Sequence, residues 1–336
     1  MPCPDNNRSS LAVLELTDLG LYCPAGDFYV DPWVPVDRSI VTHAHAGHAR
    51  PGARSYLTAH PGEYLLRARL GPDAAIQAVQ YGESVTIGDA RVSLHPAGHI
   101  LGSAQVRIEH SGEVWVVSGD YKLAPDPTCA PFEPLRCHVF LTESTFGLPV
   151  FRWPAQAHVI NEIHAWWRTN QEAGRASLLF AHPQGKAQRL LALLDPSIGP
   201  IHAHAAVEQI TQIYRGQGIA LAPTTPAADD GPWSQALILA PPSAHGTSWE
   251  RRFTSASTAF VSGWMRIRGT RRRRSLDRGF VLSDHADWSG LLRTIEESRA
   301  EAVWVTHGYR APMVRWLAEH GRKALAVETR FVEDEP

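Results

Sequence analysis

The stretch Val41-Thr-His-Ala-His-Ala-Gly-His-Ala-Arg50 carries three histidines, His43, His45 and His48, within six residues, directly after the strand-like run Ser39-Ile40-Val41. In an extended segment residues two apart point to the same side, so His43 and His45 converge on one point. A turn after them brings His48 to the same space from another direction. Imidazole is a favoured ligand of zinc, manganese and iron, so this spacing suits a metal site. The alternative is a polar turn that is merely rich in histidine, in a chain with 17 His among 336 residues. Further ligands would have to come from elsewhere, and both flanks supply candidates.

Upstream, Leu11 to Leu16 and Phe28-Tyr-Val30 read as strands, the second ending at Asp31-Pro32. Asp31 either orients a ligand histidine from behind or simply forms an Asp-Pro turn. Downstream, residues 60–71 read as a helix that begins near Pro61 and stops at Gly71. Residues 84–95 alternate as a hairpin pivoting at Gly88-Asp89. Next comes Pro96-Ala-Gly-His99-Ile-Leu-Gly-Ser103, where Gly98 and Gly102 would let the backbone pass close to a bound group. His99 is the ligand candidate there, and His95 a strand-end residue. Val114-Trp-Val-Val-Ser-Gly-Asp120 is a buried strand opening onto a carboxylate that can bridge two cations. Val139-Phe-Leu-Thr then ends at Glu143-Ser-Thr-Phe-Gly147. A strand followed by a ligand-type side chain thus recurs at 31, 43–48, 99, 120 and 143, which predicts that all five lie at one edge of a sheet system.

From about 148 to 262 the pattern changes to strands alternating with helices: helix 155–171, strand 176–181, helix 185–194, helix 207–214, strands 236–240 and 258–262. That alternation predicts a separate α/β unit with a mostly parallel sheet. Gly185-Lys186 lacks the upstream glycine of a phosphate-cradling loop and reads as a helix start with a solvated lysine. Beyond it, Arg266, Arg268, Arg271, Arg272, Arg273, Arg274 and Arg278 put seven arginines within 13 residues. Such a run is a solvated surface or, so close to Ser283-Asp-His285-Ala-Asp287, a patch that grips phosphates. Ala302-Val-Trp-Val-Thr-His307-Gly308 is one more buried strand ending in a histidine, followed by a closing helix at 311–321.

The length fits two domains, or one large domain carrying an insertion. Apolar residues at 44% and charged residues at 20% describe an ordinary globular chain. A net charge of −2 excludes a uniformly basic coat, so a polyanion partner needs a local patch. The start shows no secretory signal, and no run approaches the ~18 apolar residues of a membrane span. Cys3, Cys23, Cys129 and Cys137 have no metal-finger spacing and suit reduced thiols in a cytoplasmic protein.

Together these segments resemble the metallo-β-lactamase superfamily, and within it the β-CASP nucleases. His43-X-His45-X-X-His48 is similar to the superfamily's signature loop, and Asp31, His99 and Asp120 match its other motifs. Glu143 in Thr-Glu-Ser-Thr-Phe-Gly, His285 in Ser-Asp-His-Ala-Asp and His307 in Val-Thr-His-Gly match the three motifs peculiar to the β-CASP branch. The run Gly263-Trp-Met-Arg-Ile-Arg-Gly-Thr-Arg-Arg-Arg-Arg274 with Leu282-Ser-Asp-His-Ala-Asp-Trp288 resembles the bacterial ligase-associated DNA exonucleases in particular.

The resemblance implies an αββα sandwich from residues 1–147 and 265–336, with an α/β β-CASP domain at 148–264 inserted into it. It implies two divalent ions, zinc or manganese. His43, His45 and His99 would hold one, His48 and His307 the other, with Asp120 bridging and Asp31 supporting from behind. The ions would polarise a scissile phosphate and activate water for in-line attack. Glu143 and His285 would pair beside the reacting group. Lys122 and the arginines at 266, 268 and 271–274 would guide the strand, and Trp264 could stack a base, although core packing is the expected role of most of the 11 Trp. The implied activity is a DNA exonuclease in repair, 5′ to 3′ on single-stranded DNA, working with a DNA ligase and a helicase. RNA processing and a weakened nucleic-acid-binding protein are the alternatives. One position departs from the family: its loop carries Asp where this chain has Gly47, so the second ion would keep only three protein ligands.

Overall fold

The computed structural model describes residues 12–227, 231, 233–267 and 276–330. Three sheets organise them into a mixed α/β fold. The first sheet runs in chain order: β1 (Glu15–Thr17), β2 (Gly20–Cys23), β3 (Phe28–Val30), β4 (Arg38–Ile40), β5 (Ser55–Ala59) and β6 (Ile76–Val79). It begins antiparallel and is parallel from β3 onward. Helix α1 (Glu63–Leu70) connects β5 to β6 and stops where expected, at Gly71 with φ +100°.

The second sheet starts as an antiparallel meander of β7 (Ser84–Ile87), β8 (Ala90–Pro96), β9 (Ala104–His110) and β10 (Glu113–Val117). β11 (Val139–Ser144) then pairs parallel to β10. The chain leaves at that point and returns beside β11 as β18 (Ala302–Gly308), with β19 (Lys323–Ala326) at the edge. Alternation along the facing strands sends Leu21, Phe28, Val30, Ile40 and Leu57 of the first sheet against Val92, Leu94, Val106, Ile108 and Val117 of the second, forming one dry core. The outer face of the second sheet (Val116, Phe140, Val303, Val305) is covered by α5 (Trp288–Ser298) and α6 (Arg310–Glu319).

During the excursion the chain builds a third sheet, every pairing of which is parallel. Its spatial order is β14 (Thr225–Pro226), β13 (Ile201–Ala203), β15 (Leu237–Ala240), β12 (Ser177–Phe180), β16 (Ser257–Val261), β17 (Arg278–Phe280). Leu179, Leu239 and Val261 pack on α2 (Gln156–Glu172), α3 (Lys186–Leu193) and α4 (Ala205–Gly216), while Leu178, Ile238 and Phe260 fill a second core with Phe253 and Met265. Burial on both faces is why these strands read as continuous apolar runs. The unit extends further than the expected boundary at 264/265, because Arg278–Phe280 is its edge strand, paired to β16. The strand expected at 11–16 also shifts: Val13 and Leu14 are core residues in an irregular lead-in, and pairing begins at Glu15.

Candidate metal centre

The chain turns where the histidine cluster requires it: the amides of His48 and Ala49 both donate to the His45 carbonyl, at 3.1 and 2.8 Å. This closes a turn after β4 and swings His48 back beside His43, ring centroids 4.1 Å apart. The loops after β8 and β10 bring His99 and Asp120 to the same edge, and the ends of β11 and β18 bring Glu143 and His307. Donor atoms of His43, His45, His99 and Asp120 lie within 4.8 Å of one another, as do those of His48, Asp120 and His307, and of Asp120, Glu143 and His285. Asp120 belongs to all three groups.

Hydrogen bonds fix which nitrogen of each ring faces inward. The Nε2 of His45 contacts the Gln184 carbonyl (3.1 Å) and the Nδ1 of His99 contacts the Asp284 carbonyl (2.8 Å). A carbonyl only accepts, so both outer nitrogens carry the proton. The inner nitrogens, Nδ1 of His45 and Nε2 of His99, then aim lone pairs at each other across 3.1 Å. Such a contact is repulsive unless a cation sits between the two. Ligand atoms of tetrahedral zinc, with bonds of about 2.0–2.1 Å, lie roughly 3.3–3.4 Å apart, close to this spacing. His43 gives the same signal: its Nδ1 meets Thr42 Oγ1 (3.0 Å), while its buried Nε2 has no hydrogen-bond partner and stands 3.4 Å from Asp120 Oδ2. Burial lowers the pKa of His43 and His99 well below the usual value and that of His45 to about 4, so all three rings are neutral donors.

The second group is held from the other side. His48 Nδ1 donates to Asp31 Oδ2 at 2.7 Å, which turns its Nε2 toward Asp120, 3.5 Å away. Asp31 also accepts from the amide (2.8 Å) and hydroxyl (2.6 Å) of Thr42. Its φ of +45° is a conformation that Asp tolerates better than most residues. His307 Nε2 lies 3.0 Å from Asp120 Oδ1, with Nδ1 against Thr306 Oγ1 at 3.2 Å. Burial alone would raise the Asp120 carboxyl, but the surrounding His48 and His285 outweigh it and hold the group well below the usual range. Gly47 lies buried in the turn, and the group around His48 has three side chains.

Glu143 is buried, accepts from the Tyr121 amide (2.8 Å), and receives His285 Nδ1 on both oxygens at 3.0 and 2.9 Å. Burial would push His285 down; the facing Glu143 and Asp120 carboxylates reverse the sign and raise it to about 9.

No family model matches the chain. Over 92% of its length it is 32% identical to a probable DNA ligase of Opitutus terrae, of which it spans 30%. Over 36% of its length it is 32% identical to endoribonuclease ysh1 of Schizosaccharomyces pombe, of which it spans 16%. The chain belongs to the β-CASP branch of the metallo-β-lactamase superfamily. A crystal structure of an Enterococcus faecalis V583 protein of unknown function shares the fold at a TM-score of 0.59 and 12% identity, covering 88% of this chain and 80% of that one.

Several side chains of this β-CASP chain sit elsewhere than their sequence context suggested. Lys122, expected along a substrate strand, is 1% exposed with its ammonium on Asp126 (2.6 Å) and the His99 carbonyl (3.3 Å). Lys186, expected in solvent, is 0% exposed and lies 3.7 Å from Asp284. Gly98 and Gly102 make close approaches to protein backbone: a Cβ at either would stand 2.4 Å from the Lys122 carbonyl or 2.1 Å from Gly62. Trp264 is half-buried in an aromatic cluster with Phe146, Phe151 and Tyr309. Arg266 is exposed, whereas Arg268 and Arg271 to Arg274 lie outside the described residues. His182, after β12, packs edge-on against His45 at 4.7 Å and has no counterpart in the sequence reading. Nothing local in His182-Pro-Gln-Gly-Lys186 announced that β12 would end at the histidines.

Proposed function

We propose that this chain is a metal-dependent nuclease acting on DNA, an exonuclease of DNA repair working 5′ to 3′ on single strands. The observation that carries the reading is Asp120, whose carboxylate faces both histidine groups: Oδ2 lies toward His43 and His99 of the first and His48 of the second, and Oδ1 toward His307 of the second. Zinc or manganese bound by these donors would supply charge to polarise a phosphodiester and lower the pKa of an attacking water. The chain's own contribution is tautomer control. Thr42, Gln184 and Asp284 fix His43, His45 and His99, while Asp31 and Thr306 fix His48 and His307. Glu143 holds His285 beside the same carboxylate, placing an imidazole N–H donor where a phosphate oxygen or leaving group would lie.

In this reading the two facing sheets and their helices form the αββα metallo-β-lactamase sandwich. The third sheet, through Phe280, is the inserted β-CASP domain, and the arginine segment near 266–274 guides the strand. DNA is favoured because the relative matched over 92% of the chain is named a DNA ligase and is far longer; a ligase working next to this nuclease fits that arrangement. RNA processing is the second reading, supported by the similarity to endoribonuclease ysh1.

The test uses purified protein with Mn²⁺ or Zn²⁺ on single-stranded DNA and RNA labelled at either end. Stepwise shortening of DNA from the 5′ end, abolished in Asp120→Ala, is the expected result. Preferential RNA cleavage would replace the first reading by the second. Binding without cleavage, even in Gly47→Asp, would reduce the chain to a nucleic-acid-binding protein.

A further inference from the structure

Two of the three histidines in the first group take their outer hydrogen bond from backbone outside the first two sheets: His45 from Gln184, at the start of α3, and His99 from Asp284, after β17. Both segments are tied to the same helical turn. Arg189 donates from Nη1 to the Ser283 carbonyl at 2.7 Å and lies 3.4 Å from Asp284 Oδ1. Lys186 approaches the other oxygen of Asp284 at 3.7 Å. Arg189 Nε is also 3.6 Å from Asp126, the carboxylate that holds Lys122, and Lys122 in turn donates to the backbone carbonyl of His99 itself. On the other flank Gly185 N donates to Gln188 Oε1 (2.8 Å), which pins the turn that presents the Gln184 carbonyl.

We propose that Lys186 and Arg189 are positioning residues for the first metal group, setting its metal affinity through the Ser283-Asp284 backbone that orients His99, without touching the second group. This rests on the metal-centre reading above. Lys186, Arg189, Lys122 and Asp284 are all 3% exposed or less. Burying so many charges is costly, and a buried ion network is weak as a source of stability compared with apolar packing. What it supplies is geometry: a cation on each oxygen of the Asp284 carboxylate, with Arg189 also on the Ser283 carbonyl, holds the segment whose Asp284 carbonyl orients the His99 ring. The second group shares none of these contacts. His48 is oriented by Asp31 and His307 by Thr306, from the first and second sheets.

The experiment is a two-step titration of the metal-free full chain with Co²⁺ and Zn²⁺, followed by calorimetry and by the visible d–d bands of cobalt. Wild type should bind in two steps. Lys186→Met should weaken the step assigned to the first group by about 10–100-fold, the range for removing an outer-shell partner, and shift its d–d bands. The second step should move less than threefold. Lys186→Arg, which keeps the charge, should restore most of the affinity. Arg189→Lys, milder than any truncation, should weaken the first step in the same sense if Lys186→Met does not fold. Asp31→Asn should act chiefly on the second step, through His48, with a smaller effect on the first through Thr42, whose hydroxyl bonds Asp31 and meets His43. The proposal is overturned if the α3 variants lower the melting temperature of the metal-free chain while leaving both steps unchanged, or weaken both steps equally. If wild type itself takes up no metal, the metal-centre reading fails, which is a separate outcome.

Discussion

The two halves of the metal centre share Asp120 and differ in almost everything else. The first half has three neutral histidines, and two of them are oriented by backbone carbonyls that α3 and its ion network hold in place. The second has two histidines, oriented by Asp31 and Thr306 from short local contacts, and a glycine where its relatives' loop is expected to carry a carboxylate. The first half is thus over-determined by long-range structure, whereas the second is built locally and has one donor fewer. That difference predicts two metal affinities and not one, the tighter belonging to the half with four donors.

The largest effect should come from removing the shared residue. Asp120→Ala takes a donor from both halves at once and leaves His43, His48 and His307 without the anion they face. Loss of both metal steps and of detectable cleavage, roughly 10³-fold or more, is expected on the scale of deleting a transition-state contact. Survival of one metal step at wild-type affinity would show that the halves do not share this carboxylate. Asp31→Asn is the next largest. It keeps a residue that tolerates φ +45° but replaces the anion on His48 Nδ1, so the second step should weaken about 10–100-fold, and the first by less, since Asp31 reaches His43 only through Thr42. Gly47→Asp acts on the same half in the opposite direction. One added carboxylate contact of roughly 1.4 kcal/mol tightens the second step about tenfold and raises the rate with it. Unchanged occupancy in that variant would mean that the second half already has its full complement of donors.

The same contrast explains what could be read from the chain. The local half was the more legible: a strand ending at Asp31 is read from the pattern, and His48, five residues after His43, needs only a turn to share its space. The pairing of Glu143 with His285 is implied by the family resemblance and by no local pattern, and His285 Nδ1 lies 2.9 Å from Glu143 Oε2. The outer partners of the first half were not legible, because Gln184 and Asp284 lie 139 and 185 positions from the histidines they hold, and each contributes a carbonyl that every residue possesses. Lys186 illustrates the same limit. A lysine at a helix start belongs in solvent by default, and only the fold reveals that Asp284 is beside it. Strands β6 and β19 were missed for another reason: both are short edge strands, and all four residues of β19 are exposed or half-exposed without clean alternation.

Thr306→Val offers the smallest effect and the finest division of the second half. The substitution keeps the β-branched shape but removes the hydroxyl that His307 Nδ1 contacts at 3.2 Å, a longer and neutral bond compared with the 2.7 Å bond from His48 to Asp31. The same hydroxyl donates to the Thr142 carbonyl at 3.1 Å, across the junction of β18 and β11. Its loss should therefore cost about 1 kcal/mol of stability, the net worth of one neutral hydrogen bond, seen as a small fall in the midpoint of chemical denaturation. The second metal step should weaken by less than tenfold, because charge-assisted bonds are roughly twice as strong as neutral ones and the carboxylate on His48 remains. If Thr306→Val weakens that step as much as Asp31→Asn does, orientation of the ring, and not the charge behind it, sets affinity in this half.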